Sequence, residues 1–516
     1  MLGTVKSKTS FLFCYSEPFT IFVYYKDIQS MMTIKKFLYL LFIYYNLAIV
    51  NAQNLSPIKT FNDKPFAEGA IFSCYIHDIN SDKTICELNN EIMLTPASLM
   101  KLVTTAGALD ILGSDFRYKT TISYDGTIKE GVLHGNIYIK GSGDPTLGSS
   151  HFAPESKEFI NEWISAIKQL GIRNITGAVI ADESIFDSEG LSLKWVYEDM
   201  GSYYGAGSYG LSVFDNMYKL QLRSGNPGSK PKIISCNPEK AVTTFHNYLK
   251  SAQVRSDSTY ILGTPFSKER YLYGVVPANK ESITLKGDIP DPALFIAQYL
   301  ERELKKNGIS TDKAASCYRI LKEQGKWSSN KKTEIISTYS PTLAEIVRVT
   351  NHASHNLYAD AIIKTVGLSY KAQKGEVISS FNKGINIIKE YWKSKGLDVS
   401  ELVMYDGSGL APTDKITTAF LGKLLTIMYK DKKYGKIFIE SLPAAGISGS
   451  VRNFMKGTEL QGKAKIKSGS MSGVKGYAGY IDEGEKTYSV VFLINQYKGK
   501  SSEMTKQMGN LLNNIF

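Results

Sequence analysis

At 516 residues, with 43% hydrophobic and 21% charged side chains, the chain has the composition of a folded globular protein and is too long for one average domain. That balance excludes a disordered polymer and a coiled coil. Lys and Arg number 61 against 49 Asp and Glu, a net charge of +12 that suits an anionic partner, whether cell-wall polymer, membrane surface or nucleic acid. The basic residues are dispersed and no nucleic-acid motif accompanies them, so nucleic acid is not expected.

The first element in chain order is an internal secretory signal. Met32 is followed by Lys35-Lys36, an apolar run from Phe37 to Val50, and Val50-Asn-Ala52 before Gln53. A basic start, a short apolar stretch and a small residue at the cut are the parts of a cleavable signal, expected at about 32–52. Translation from Met31 or Met32 would make residues 1–31 a spurious extension. A retained membrane anchor is the alternative, since the apolar run is near the lower length limit for a span. Export to the periplasm or cell envelope makes wall polymer the better anionic partner, with peripheral contact to membrane or wall.

Past Cys14, four cysteines remain: Cys74, Cys86, Cys236 and Cys317. An even count in an exported chain permits two disulfides. Cys74 and Cys86 flank the turn Asn80-Ser-Asp-Lys83 and could face each other across a hairpin; Cys236 with Cys317 is then the remaining pair, and free thiols are an equal alternative for both. No C-x-x-C is present and His is sparse, so no metal and no cofactor are expected.

Gly69 to Asn89 alternates as two strands and leads into LTPASLMKLVTTAGALDILG. There Thr95 is placed to cap a helix, Pro96 suits its first position, and Leu99, Leu102, Val103, Ala106 and Leu109 make an apolar stripe. Ser98 and Lys101 fall one turn apart on one face. A hydroxyl near a helix N-terminus sits in a positive field that favours a developing alkoxide and disfavours a protonated amine, so Lys101 can serve as a base. S-x-x-K also occurs elsewhere, as at Ser165, Ser229, Ser328, Ser329, Ser380 and Ser472, but without this capped, Pro-started, apolar setting.

More than two hundred residues then intervene before the next motif, far more than a connection needs. Residues 116–215 read as short strands (Thr120–Tyr124, Gly135–Lys140, Gly177–Asp182) with one helix, Ser156–Leu170. Residues 216–285 read as turn-rich strands, and Asp291–Asn307 as an amphipathic helix. From Ser340 helices dominate: Pro341–Val349, Leu357–Val366, Val377–Lys395 and Thr417–Tyr429. Ser354-His-Asn356 lies in the break between the first two. In an extended loop Ser354 and Asn356 would aim both side chains into a cleft; capping of the second helix by Asn356 is the alternative.

The chain closes with KAKIKSGSMSGVKGYAGYIDEGEKTYSVVFLINQ. It reads as an edge strand that breaks at Gly469, then a hairpin of Gly476–Asp482 and Thr487–Asn495, then a helix Ser501–Leu512. A strand with Lys467, a hydroxyl and Gly469 offers an edge for an extended peptide, a cation for a carboxylate and no blocking side chain. Lys467-Ser-Gly469 is the only K-[S/T]-G in the sequence.

In order, Ser98-Leu-Met-Lys101, Ser354-His-Asn356 and Lys467-Ser-Gly469 resemble the motifs of penicillin-binding proteins and serine β-lactamases. Further strings resemble one branch, the low-molecular-mass class C D-alanyl-D-alanine carboxypeptidases and endopeptidases: Gly141-Ser-Gly-Asp-Pro-Thr146, Trp195 to Asn216, Asp291-Pro-Ala-Leu-Phe295, Asp406-Gly-Ser-Gly-Leu410, Leu442-Pro-Ala-Ala-Gly446 and Gly476-Tyr-Ala-Gly479. The match spans nearly everything after residue 60.

The resemblance implies an α+β fold with a β-lactamase/transpeptidase-like domain, an antiparallel sheet flanked by helices that the two chain ends complete, and nested, mainly β insertions. The expected division is 53–115 and 335–516 for that domain, 116–215 and 286–334 for inserted domain II, and 216–285 for inserted domain III. It further implies that Ser98 attacks a D-Ala-D-Ala carbonyl, that Lys101 takes its proton, and that an acyl-enzyme forms and hydrolyses. Ser354 would relay the proton to the leaving amine and Asn356 would bind Lys101 and the substrate amide. Backbone N–H groups of Ser98 and Ser470 would hold the oxyanion, and Lys467 with the hydroxyls of Ser468 or Ser470 would hold the terminal carboxylate, the strand continuing through Gly469. Partners are peptidoglycan stem peptides and, as inhibitors, β-lactams. Two departures stand out. Ser468 replaces the usual Thr and keeps its hydroxyl, and His355 replaces the usual Asp, with its side chain expected to point away from the cleft. A β-lactamase-like hydrolase and a non-catalytic peptidoglycan-binding relative are the competing readings.

Overall fold

The computed structural model describes residues 57–152 and 157–516 and a few isolated positions before residue 40; the expected signal segment lies outside the described residues. The chain divides near Asp63 into two compact units. In the first, Tyr15–Ser16 and Phe19–Thr20 pair as two short antiparallel strands. The second, from Lys64, carries every motif residue.

One five-stranded antiparallel sheet is built from both ends of that unit. Its order is Ala464–Met471, Val474–Glu483, Lys486–Asn495, Ile71–Asp78, Lys83–Leu88. The three central strands are buried along almost their whole length, which explains their near-continuous apolar spelling. Thr418–Lys430 packs on this sheet, and Ser501–Ile515 buries Met504, Met508, Leu511 and Leu512. Met100–Leu112, Leu343–Ala353, Asn356–Val366 and Ser380–Ser394 complete the main hydrophobic core.

A second core belongs to the insertion. Its five-stranded sheet runs Ser316–Cys317, Val179–Asp182, Ile137–Lys140, Lys119–Tyr124, Thr333–Tyr339, parallel across the first three strands and antiparallel beyond. Pro292–Lys306 begins where Asp291 accepts a hydrogen bond from the Leu294 N–H. Met217–Arg223 pairs with Lys232–Asn237 and Ile283–Asp288, next to a further sheet around Glu269–Pro277. Two expected domain boundaries, 285 and 335, fall inside strands, because Ile283–Asp288 and Thr333–Tyr339 each pair with the strands before them.

Two local expectations need correction, and one alternative is ruled out. Thr95 does not cap the Ser98 helix: its N–H is taken by Asn495 Oδ1 at 2.9 Å, its hydroxyl donates to the Pro412 carbonyl, and Lys415 donates to it. The helix start is instead a 3-10 turn, Ala97–Leu99, running into Met100–Leu112, whose residues from Met100 to Leu109 are all buried rather than forming one stripe. Second, the terminal strand does not break at Gly469 but continues to Met471, with Gly469 opposite Gly476. Finally, Asn356 is no cap; it opens the helix Asn356–Val366 with its side chain engaged elsewhere. The four cysteines are free thiols, Cys74 and Cys86 facing across the hairpin with sulfurs 3.8 Å apart.

Candidate active site

The three motifs converge. The 3-10 turn presents Ser98, half-buried, at the start of the buried helix. One turn on, the Lys101 side chain is fully buried and places Nζ 3.0 Å from Ser98 Oγ. The same Nζ donates to Asn356 Oδ1 and to the Ser408 carbonyl, each at 2.6 Å. Two of these partners are carbonyl oxygens, which only accept. They fix two N–H directions and leave the third position of the nitrogen turned to the Ser98 hydroxyl.

Ser354 ends the helix Leu343–Ala353 in the left-handed region, φ 60°, and this sharp turn throws its hydroxyl toward the terminal strand. Lys467, also fully buried, donates to Ser354 Oγ at 2.8 Å and to the Ser468 carbonyl at 2.6 Å. Asn356 Nδ2 donates to the Tyr204 carbonyl at 2.8 Å, tying the insertion to the cleft. Ser468 Oγ bonds Ser450 Oγ at 2.9 Å, and Ser470 is exposed near the end of the edge strand. A cavity of about 350 Å³ opens beside Ser354 and Asn356, walled in part by Tyr203, Tyr204 and Lys286.

Gly469 explains how the strand and Ser98 come so close. A Cβ there would lie 2.5 Å from the Pro96 carbonyl oxygen and 3.0 Å from Leu99 Cγ. Ala97, beside Ser98, holds φ 48°, a conformation costly for a side-chain-bearing residue. Gly409 presses on the same turn, its would-be Cβ 1.9 Å from the Ala97 carbonyl oxygen.

Burial makes the Lys101 amine easier to deprotonate than an ordinary lysine. Burial pulls Lys101 down to about 8, against the opposing pull of Asp360, Asp406 and Asp414. Lys467 is pushed well below its ordinary value by burial and then by Lys101. Behind Lys101, burial and the neighbouring Asp406 hold Asp360 and Asp414 far above the usual carboxylate range. Asp406 organises the loop that supplies the Ser408 carbonyl: it accepts from the N–H groups of Ser408, Gly409 and Ala411 at 2.6–3.0 Å and from Trp195 Nε1 at 2.7 Å. Asp360 Oδ1 takes the Gly407 N–H at 2.9 Å.

The His355 ring stacks on Tyr358 at 3.9 Å and lies near Asp215 and His151. Burial lowers it to about 4, so it stays neutral at ordinary pH. Sequence reasoning missed Asp360, Asp414 and the Ser408 carbonyl. Asp360 left one trace, an acid set among Leu357, Ala359, Ala361 and Ile362 on a helix that is otherwise apolar there.

The match to known proteins agrees with this geometry. The D-Ala-D-Ala carboxypeptidase 3 (S13) family model covers residues 53–515. The chain belongs to that family. Membership makes it a hydrolase of the D-Ala-D-Ala carboxypeptidase class. It is 26% identical over 449 residues to the D-alanyl-D-alanine carboxypeptidase of Actinomadura sp. (strain R39), covering 84% of this chain and 80% of that one. It is 22% identical over 448 residues to D-alanyl-D-alanine carboxypeptidase DacB of Haemophilus influenzae, covering 85% and 88%. Penicillin binding protein 4 of Haemophilus influenzae has the same fold, with a TM-score of 0.73 over 87% of this chain and 97% of that one at 21% identity. The α+β, transpeptidase-like architecture expected from sequence is thereby established.

Proposed function

We propose that this family member cleaves D-Ala-D-Ala-type bonds of peptidoglycan stem peptides by way of an acyl-enzyme on Ser98. The observation that carries the reading is the Lys101 amine, buried, depressed to about 8 and 3.0 Å from Ser98 Oγ. Neutral Lys101 takes the Ser98 proton as Oγ attacks the carbonyl carbon. The N–H groups of Ser98 and Ser470 receive the oxyanion. As the C–N bond breaks, the leaving D-Ala amine takes a proton passed from Lys101 through Ser354 and Lys467, which stand in hydrogen-bond contact. Water then hydrolyses the ester and returns the proton to the same groups.

Burial and Lys101 lower Lys467, and an arriving substrate carboxylate restores its charge. That carboxylate is bound by Lys467 with the hydroxyls of Ser468 and Ser470. Asn356 orients Lys101 and the substrate amide. β-Lactams, which acylate such a serine, are the inhibitors expected.

The nested division of the chain is part of the same proposal, with the strand pairings supporting ends for domain III near 288 and for domain II near 340. So is export through a signal at about 32–52 to the periplasm or cell envelope; no helix among the described residues is long and apolar enough to cross a membrane. N-terminal sequencing of secreted protein tests it: a mature start at Gln53 is expected, and a start before Met31 refutes it.

The activity test is mass analysis of products from purified protein incubated with stem pentapeptide and with cross-linked dimer. Loss of one alanine from the pentapeptide marks carboxypeptidase action, and conversion of dimer to monomers marks endopeptidase action. Neither product, or equal product from Ser98→Ala, overturns the proposal.

A further inference from the structure

His151, Asp215 and His355 form a cluster that the acyl-transfer chemistry does not use. Each offers one ligating atom, and these atoms all lie within 4.8 Å of one another. His355 Nε2 is 3.7 Å from Asp215 Oδ1, beyond hydrogen-bond reach, and His355 Nδ1 is buried with no hydrogen-bond partner. Nδ1 is thus a buried polar atom left without a partner, which is unusual.

The arrangement suits a shared ion. The His151 and His355 rings stand 5.3 Å apart at 81°. Two imidazoles bound tetrahedrally, each nitrogen ~2.0–2.1 Å from one zinc, put their ring centres about 5 Å apart. His151 is exposed and free to supply the small rotation that closing the set requires.

The surroundings orient the ligands. The Tyr358 hydroxyl donates to Asp215 Oδ1 at 3.0 Å while contacting Ser149 Oγ at 2.6 Å, and its ring stacks on His355. Phe214, Asp215 and Asn216 hold φ of 54°, 56° and 47°, three side-chain-bearing residues in a row in the left-handed region. Asn216 enforces this turn: its Oδ1 accepts from the Val213 N–H, and its Nδ2 donates to the Gly207 carbonyl and Ser212 Oγ, all at 2.9–3.0 Å. A strained turn so firmly pinned delivers one carboxylate to the two imidazoles.

We propose that His151, Asp215 and His355 bind one divalent cation of the zinc class, with water in the fourth position. His151 and Asp215 come from the insertion, whereas His355 lies between Ser354 and Asn356. The bound ion therefore clamps the insertion onto the turn that carries both motif residues. Imidazole-rich, three-ligand sets favour zinc and its cobalt surrogate over magnesium or calcium.

The test titrates metal-stripped full-length protein with Co²⁺ and then Zn²⁺, reading visible absorption, stoichiometry and melting temperature. One equivalent of Co²⁺ giving tetrahedral ligand-field bands, displaced by Zn²⁺, is expected, along with a Zn²⁺-dependent rise in melting temperature. His151→Ala removes an exposed ligand and should weaken binding at least tenfold and abolish the melting shift; Asp215→Asn should do likewise if it folds. Absence of saturable binding, or binding unchanged in His151→Ala, overturns the proposal. These readouts need no peptidase activity, so they stand or fall separately from the acyl-enzyme mechanism.

Discussion

Lys101 Nζ donates to two carbonyl oxygens and faces one hydroxyl, and that count sets what substitution there should do. Lys101→Ala removes the base and is expected to slow acylation by a β-lactam at least ~10²–10⁴-fold. Lys101→Arg keeps the charge but cannot lose its proton, so stopped-flow acylation should be equally slow in it; near-normal rates in either variant would remove Lys101 from the mechanism. The pH profile follows from the same nitrogen. The reactive form is the neutral amine and the group lies at about 8, so acylation should rise roughly tenfold per pH unit below that value and level off above it. A rate independent of pH between 6 and 8 would contradict the assignment. Ser98→Ala should abolish covalent labelling while leaving the circular dichroism spectrum unchanged.

The strand Ala464–Met471 and the turn Ala97–Leu99 form the site only because Gly469 lets them touch. Its φ is ordinary, so a substitution there tests space alone. Gly469→Ala places a Cβ against a backbone carbonyl that cannot swing aside. It is expected to cost about 1–3 kcal/mol in urea unfolding and to slow acylation, whereas full stability would mean the contact does not constrain the fold. Elements of this kind were legible in the sequence to differing degrees. Most helices of the C-terminal half lie within a few residues of where their apolar spacing puts them, Thr418–Lys430 among them, but the short helix Gly435–Ser441 carries no such pattern and has no counterpart in the sequence reading. Gly469 reads as a strand break because a glycine's local signal is the same whether it ends a strand or admits a neighbour. Thr95 reads as a cap because nothing nearby reveals Asn495, its partner in space. Asp360, Asp414, His151 and Asp215 were invisible as a group, since their meaning lies in distances among segments far apart in sequence.

Two hydrophobic cores divide the main unit, one under Ser98 and one in the insertion. The second contains a buried ion pair, with fully buried Arg270 donating through Nε to Asp288 Oδ1 at 2.8 Å. Asp288→Ala strands that guanidinium and should destabilise the insertion by roughly 3–5 kcal/mol, seen by calorimetry as a lowered transition. Acylation at a permissive temperature should stay within about twofold of wild type, because the pair shares no partner with Ser98; a large loss of acylation would show the two cores to be tightly coupled.

The pairing of Ile71–Asp78 with Lys486–Asn495 also bears on how the molecule comes to exist. At ribosomal rates of ~5–20 residues per second, the first hairpin waits about 20–80 s for the strand that covers its long edge. The hydrogen bond from the Thr95 N–H to Asn495 spans 400 residues, so the nucleophile turn is among the last places to be locked. The enzyme is therefore born inert. The cleft is complete only once the last strands have paired, so no fragment lacking the C-terminal hairpin has a complete cleft.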